Sequence, residues 1–399
     1  MTTTTAPLTH SEPKVSSRTR EAMVAYGFLL PNFLGFLIFT SIPVIASLVM
    51  AFMHWNIFHP PVWVGFENFQ NLLGFHRVHG HLFPNDPFFW GYLNNTLYLM
   101  MAIPIGMLGS LLLALLMNQQ YKGVIVFRTI YFLPSVCPGV AVLILWKYLL
   151  NADIGLLNQN LRMMGAWIFG HPIAGIFLTV LCAVIFGAMM IGIVAAVFSL
   201  LQWACDKLHM EWPYGLKRLL LIIASIAIFI ALGVYGPHIY GTISTFMGTP
   251  PDWLGTVQWS KPSLMLIGLW GGIGGYNMIL YLAALQDVPR SIYEAAEMDG
   301  AGPWASFWSV TWPMISPTTF FILITSIIGG FQGGFMSANV LTGGGPAGST
   351  TTLEYYLYQT AFEKFNMGYA SAIAWFVFIV ILILTLVTWR LGGKVVNYE

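Results

Sequence analysis

Eight apolar runs, each close to the ~20 residues a helix needs to cross a bilayer, dominate this chain and leave it few ways to fold. They lie near Met23–Ala51, Tyr92–Met117, Thr129–Trp146, Ile173–Gln202, Leu219–Tyr240, Leu264–Leu285, Thr318–Leu341 and Tyr369–Trp389. The composition agrees: 57% of residues are hydrophobic and 8% charged, against about 25% charged in soluble domains. Most of the surface must therefore face lipid. The expected fold is all-α, a polytopic membrane protein of about eight transmembrane helices. Net charge is +1, so no bulk field invites nucleic acid, and membrane lipids are the expected environment.

Residues 1–21 are polar and Thr-rich, with Lys14, Arg18 and Arg20, and are expected to form a disordered tail. The apolar run after them is longer than the ~7–15 residues of a signal-peptide core, so it is read as a helix that stays attached. Cytoplasmic loops carry the excess of Lys and Arg near span ends. With the N-terminus inside, eleven of the sixteen cations, among them Lys122, Arg128, Lys207, Lys217, Arg218, Arg290, Arg390 and Lys394, fall on the cytoplasmic side. Arg77, Lys147, Arg162, Lys261 and Lys364 fall outside. Both termini are therefore expected in the cytoplasm. The outer side receives the long Trp55–Trp90 connection and the Gly-rich Leu341–Asn366 connection.

The polar segment Ser291–Pro317 falls on the cytoplasmic side by the same count. Ser291 and Glu294 have the S-x-x-E spacing of a capping box, which predicts a short helix just after Val288–Arg290, and Asp299-Gly300 is a stop and turn signal. Read from its residues, this segment is an extramembrane helix between two spans. Its sequence also resembles the EAA loop of ABC-transporter permeases, through Glu294, Ala295, Ala296, Asp299, Gly300 and Ala301 followed by Phe307, Val310, Pro313 and Pro317. The resemblance implies that Glu294–Ala301 is a coupling helix docking on a separate ATPase subunit.

Further stretches are similar to carbohydrate-type permeases of the maltose and glycerol-phosphate importers: Val64–Phe69, Phe127–Pro134, Trp146–Asn151 with Gly155–Asn158, Leu341–Pro346, and Gly368–Ala372. On that resemblance residues 22–165 form the first part of a permease core with three transmembrane helices. Residues 251–395 form the second part, with the cytoplasmic EAA loop at 286–317. Residues 166–250 depart from the pattern by inserting a helix pair into a six-helix core. An even insertion preserves the orientation of everything downstream. Ala188, Gly192 and Ala196 give its first helix a small-residue stripe, which suits either a peripheral pair packed on the core or a docking site for an extra subunit.

The resemblance further implies a bacterial or archaeal inner-membrane protein importing a sugar or polyol derivative. Its partners would be a second permease, two ATP-binding subunits and a periplasmic or extracellular solute-binding protein. ATP is expected on the separate subunit, and no cofactor in this chain, because Gly392-Gly-Lys394 has neither the spacing nor the hydroxyl of a phosphate-binding loop. No nucleophile–base constellation argues for an enzyme. The alternative class is an ion-coupled secondary carrier. Such carriers place charged residues inside the membrane, and no Asp, Glu, Lys or Arg lies near the middle of any run. His76, His79 and His81 are close together but lack a Cys or paired carboxylate, so no metal site is assigned. Cys137, Cys182 and Cys205 have no metal-like spacing.

For the substrate, the sixth run carries Gly268, Gly271, Gly272 and Gly275, spaced for close packing or local unwinding, and then Tyr276 and Asn277. The seventh carries Gly329-Gly330, Gln332, Gly333-Gly334, Ser337 and Asn339. Tyr276, Asn277, Gln332 and Asn339 are the candidate pathway residues, since amides suit hydroxyls and aromatics suit sugar faces. The other reading is that they fasten helices to one another.

Overall fold

A computed structural model of the chain describes residues 17–119, 122–171, 181 and 241–392. The proposed helix pair at Ile173–Gln202 and Leu219–Tyr240, the turn between them, Cys182, Cys205 and most of the N-terminal tail lie outside the described residues. Among the described residues five helices are long and apolar enough to cross a membrane, six if one bent pair counts as a single span. They are Arg18–Met50, Pro87–Met117, Val257–Asp287, Pro303–Gln332, Met367–Arg390 and the pair Val124–Val136 with Gly139–Leu149. All six correspond to runs read from the sequence.

Four details correct that reading. Ser17–Glu21 is helical and continuous with the first span, because Arg, Glu and Ala favour helix as far as the apolar run they precede. The third run is not one straight helix but bends by 99°. Cys137 precedes Pro138 and is extended, with φ −72° and ψ 142°, as the residue before a proline must tend to be. The sixth is interrupted at Gly274-Gly275, where Gly275 takes φ +62°. The seventh starts at Pro303 rather than near Thr318 and breaks at Gly333. Its helix passes through Pro313 and Pro317. A π-helical turn at Phe307–Thr311 precedes Pro313, as another at Leu37–Ser41 precedes Pro43. Each proline lacks the N–H that the carbonyl four residues earlier would need, and the wider turn absorbs the mismatch.

The described chain falls into two compact units, one within Met1–Gly91 with Tyr356–Arg390 and the other within Tyr92–Tyr355 with Leu391–Glu399. In the first, the Asn of the Val64–Phe69 motif does local work: Asn68 Nδ2 donates to the Ala51 and Met53 carbonyls at 2.9 Å each, satisfying groups left free where the first span ends. Phe75–Val78 and His81–Pro84 pair as a hairpin. His79 and Gly80, both at positive φ, form its two-residue turn, the conformation a right-twisted hairpin demands. The histidines thus belong to a hairpin, with His76 bonded to Asn85. Asp86 caps the helix that starts at Pro87 through the Phe89 N–H and accepts from Tyr356 and Tyr369 hydroxyls at 2.7 and 2.6 Å.

The second unit packs Pro87–Met117, Val257–Asp287 and Pro303–Gln332 through Leu111, Ala114, Met117, Met278, Tyr281, Leu282, Ile315 and Ile322. In lipid there is no hydrophobic force between helices, so close approach of small residues does this work. A Cβ on Gly109 would come within 2.7 Å of Ile273. The next residue, Ser110, donates to the Gly272 carbonyl at 2.6 Å. That carbonyl lies beside the break at Gly274, and the hydroxyl supplies a donor where lipid offers none.

Gly155–Asn158 and the stretch Pro251–Gly255, on either side of the proposed insertion, meet. Asn158 is fully buried and accepts the Trp253 indole N–H at 2.6 Å while donating to the Ala152 carbonyl. The core therefore closes across a sequence separation of 95 residues. Asn158→Ala would orphan a buried donor, so it is expected to cost about 1–3 kcal/mol and to lower the thermal midpoint of the purified protein. An unchanged midpoint would show that this closure is not a stabilising joint.

Candidate functional site

Two features of the second unit could carry function: a short polar helix outside the spans, and a cavity inside them. The helix is Arg290–Met298. It begins two residues earlier than the capping-box spacing predicts. Pro289 is its N-cap and no side chain caps it, so Ser291 lies inside the first turn and the S-x-x-E box does not form. Proline presets φ at the helix entrance, so the helix starts ahead of Ser291.

The end of the helix does match the motif. Gly300 takes φ +81°, the Ala301 N–H bonds to the Ala296 carbonyl, and the Gly300 N–H to that of Glu297. This is a Schellman cap, for which glycine is the residue without a Cβ penalty. The Asp-Gly-Ala of the motif is thus the stop that fixes where the helix ends. Ala296 and Tyr293 face the rest of the chain, whereas Glu294, Ala295, Glu297 and Met298 are exposed. Met298 is 88% exposed, a large apolar side chain beside two carboxylates.

The helix is also tied to the seventh span. Tyr293 Oη lies 3.0 Å from Thr311 Oγ1, in the π-helical turn that opens that span. Trp304, Phe307, Trp308 and Trp312 stack along this entrance. They form the kind of aromatic belt found at membrane interfaces.

The cavity has a volume of about 450 Å³, within the range of small-ligand sites. All three interrupted spans contribute to it. The bend of the third supplies Pro134, Ser135, Cys137 and Gly139; the sixth supplies Gly268, Trp270 and Gly271; the seventh supplies Gly329, Gly330, Gly333, Gly334, Met336 and Ser337. The break of the sixth packs on the helix leading into the bend of the third, since a Cβ on Gly274 would come within 2.7 Å of the Tyr131 carbonyl and one on Gly275 within 3.2 Å of Ser135. Hydroxyls of Thr96, Ser135, Ser337 and Thr352 are the polar groups of an otherwise apolar wall.

Tyr276, Asn277, Gln332 and Asn339 are not brought together on this wall. Tyr276, Gln332 and Asn339 are exposed and Asn277 is partly buried, while the glycines beside them form the rim. The signal that could have found the wall was the glycine spacing itself, because residues without side chains make the room that a cavity needs. Among the described residues no group of three His, Cys, Asp or Glu is placed to hold a metal.

The sequence and the fold have counterparts among known proteins. Residues 212–393 match the family model described as "Binding-protein-dependent transport system inner membrane component". The chain is 31% identical over 307 residues to the lactose transport system permease protein LacF of Rhizobium radiobacter, covering 75% of each chain. It is 27% identical to the probable ABC transporter permease protein YesP of Bacillus subtilis, covering 97% of this chain and 96% of that one. A chain in the crystal structure of a bacterial alginate ABC transporter, in complex with an alginate pentasaccharide-bound periplasmic protein, superposes with a TM-score of 0.63 at 20% identity. It covers 96% of this chain and 99% of that one. The last likeness is one of fold.

Proposed function

Because the chain belongs to the binding-protein-dependent transport system inner membrane components and is a permease subunit of an ABC importer, we propose that it forms part of a pathway for a sugar or polyol derivative, driven by a separate ATPase that grips Glu294–Ala301. Membership sets aside the ion-coupled carrier. The observation that carries the proposal is mechanical continuity. The Arg290–Met298 helix ends in a glycine cap, is bonded through Tyr293 to Thr311, and leads into a span whose other end lines the cavity. A push on the exposed face of the helix would move the glycine rim about 30 residues away along a largely continuous helix. Coupling of this kind is a population shift set by differential contact with the states of the ATPase.

The proposed assembly has a second permease, two ATP-binding subunits and a solute-binding protein on the outer side, with both termini and the Glu294 loop in the cytoplasm. ATP binds the separate subunits, and this chain performs no catalysis. The lactose permease relative supports a carbohydrate. Tyr276, Asn277, Gln332 and Asn339 are proposed to border the pathway from the exposed side of the breaks, where a second permease would complete it.

The test is uptake of labelled sugars by proteoliposomes holding the full assembly, with its binding protein added. Uptake should require ATP and survive a protonophore. Uptake that persists without ATP and collapses with the protonophore would overturn the importer mechanism, and an epitope at Gly302 reached by antibody in intact cells would overturn the orientation.

A further inference from the structure

Glu354 is an acidic side chain that this scheme leaves unused. It lies on the short helix Leu353–Tyr358, outside the candidate spans. Its carboxylate accepts the Phe335 N–H at 2.7 Å and also bonds the Gly334 backbone. These are the first N–H groups past the break at Gly333, where the carbonyls one turn earlier no longer serve them. A second contact closes on the same point from the same loop. A Cβ on Gly334 would come within 2.5 Å of Thr352 Oγ1, and Gly334 and Thr352 both line the cavity.

Burial pushes the Glu354 carboxyl above the usual carboxylate range, and the two backbone bonds pull it back. The raised direction means that the ionised form is held at a cost: the stability this group contributes is present below the ordinary carboxylate value and is lost as the pH rises through the raised one. An ionisable group kept at a cost beside a cavity is a candidate for function.

We propose that Glu354 is a positioning residue for transport, holding the Gly334 and Phe335 N–H groups and so fixing the glycine rim of the cavity. The proposal rests on the cavity being part of the pathway. A charge-assisted hydrogen bond is roughly twice as strong as a neutral one. A glutamine keeps an acceptor at the break and loses the charge, whereas an alanine removes both, so the two variants should form a graded series.

Cys137 supplies a readout of the rim that does not depend on transport, since its thiol is exposed and lines the same cavity. With Cys182 and Cys205 replaced by Ser, the assembled complex is treated with a small maleimide. The expected labelling rate at Cys137 changes by about 5–10-fold in Glu354→Ala, the scale of one or two lost hydrogen bonds, and by an intermediate amount in Glu354→Gln. Maximal uptake should fall in the same order, with the apparent KM for the loaded binding protein unchanged. Glu354→Gln carries the test if the alanine variant does not assemble. Labelling at the parent rate in an assembled variant would overturn the positioning role, whatever uptake does. Altered labelling with unaltered uptake would instead remove the cavity from the pathway, and with it the role in transport.

Discussion

Glu294→Lys is expected to insert and assemble like the parent, while substrate-stimulated ATPase and uptake fall together by about tenfold or more, the scale of a lost coupling of 1–3 kcal/mol between sites. Glu294 is exposed, so losing its charge strands no buried partner and should cost the fold little. The bonds that shape the helix are unaffected. Pro289 still fixes its start, Gly300 still ends it, and Tyr293 still reaches Thr311. The variant differs in the sign of the face offered to an ATPase groove. The measurement is ATP hydrolysis by the purified complex with and without loaded binding protein, alongside the yield of complex. Normal stimulation would falsify the coupling role, and a collapse in yield would show that Glu294 is a folding residue instead.

Much of this architecture was legible because lipid imposes a simple rule, that a run of apolar residues long enough to cross becomes a helix. Every described span lies where such a run occurs. The Asp299-Gly300 stop was equally legible, since a left-handed residue after a helix is a local matter for which glycine is the marker. The Ser291–Glu294 box failed for a reason also local but outranked: a proline two residues earlier had already set the entrance. The breaks were harder. Pro138 and Gly275 advertise that a helix can bend, but whether it does depends on a neighbour that satisfies the freed carbonyl, as Ser110 does for Gly272. Such a partner lies 162 residues away in sequence. The candidate pathway residues were chosen for their polar side chains, whereas the wall is made chiefly by residues with little or no side chain. Glu354 gave no signal at all, because its partners are backbone groups and any acceptor nearby in sequence would have looked the same.

The cavity itself makes the sharpest demand on the transport mechanism. Gly268 lines it, and a Cβ built there meets nothing within 4 Å. A large side chain at this position can therefore extend into open space without pushing on backbone. Gly268→Phe is expected to assemble with parental yield and to retain basal ATPase, while uptake falls on the order of 100-fold, equivalent to about 2.7 kcal/mol on the transport barrier, because the ring occupies the space the solute would use. Gly274→Ala is the contrasting case on the same span. It adds only one methyl, yet that methyl would lie 2.7 Å from the Tyr131 carbonyl, and a backbone atom cannot swing aside as a side chain can. Its expected effect is a loss of complex before any change in turnover. Together the two variants separate blocking from misfolding: the bulkier change should spare the structure, and the smaller one should damage it. Uptake at the parental rate by an assembled Gly268→Phe complex would mean that the solute passes elsewhere.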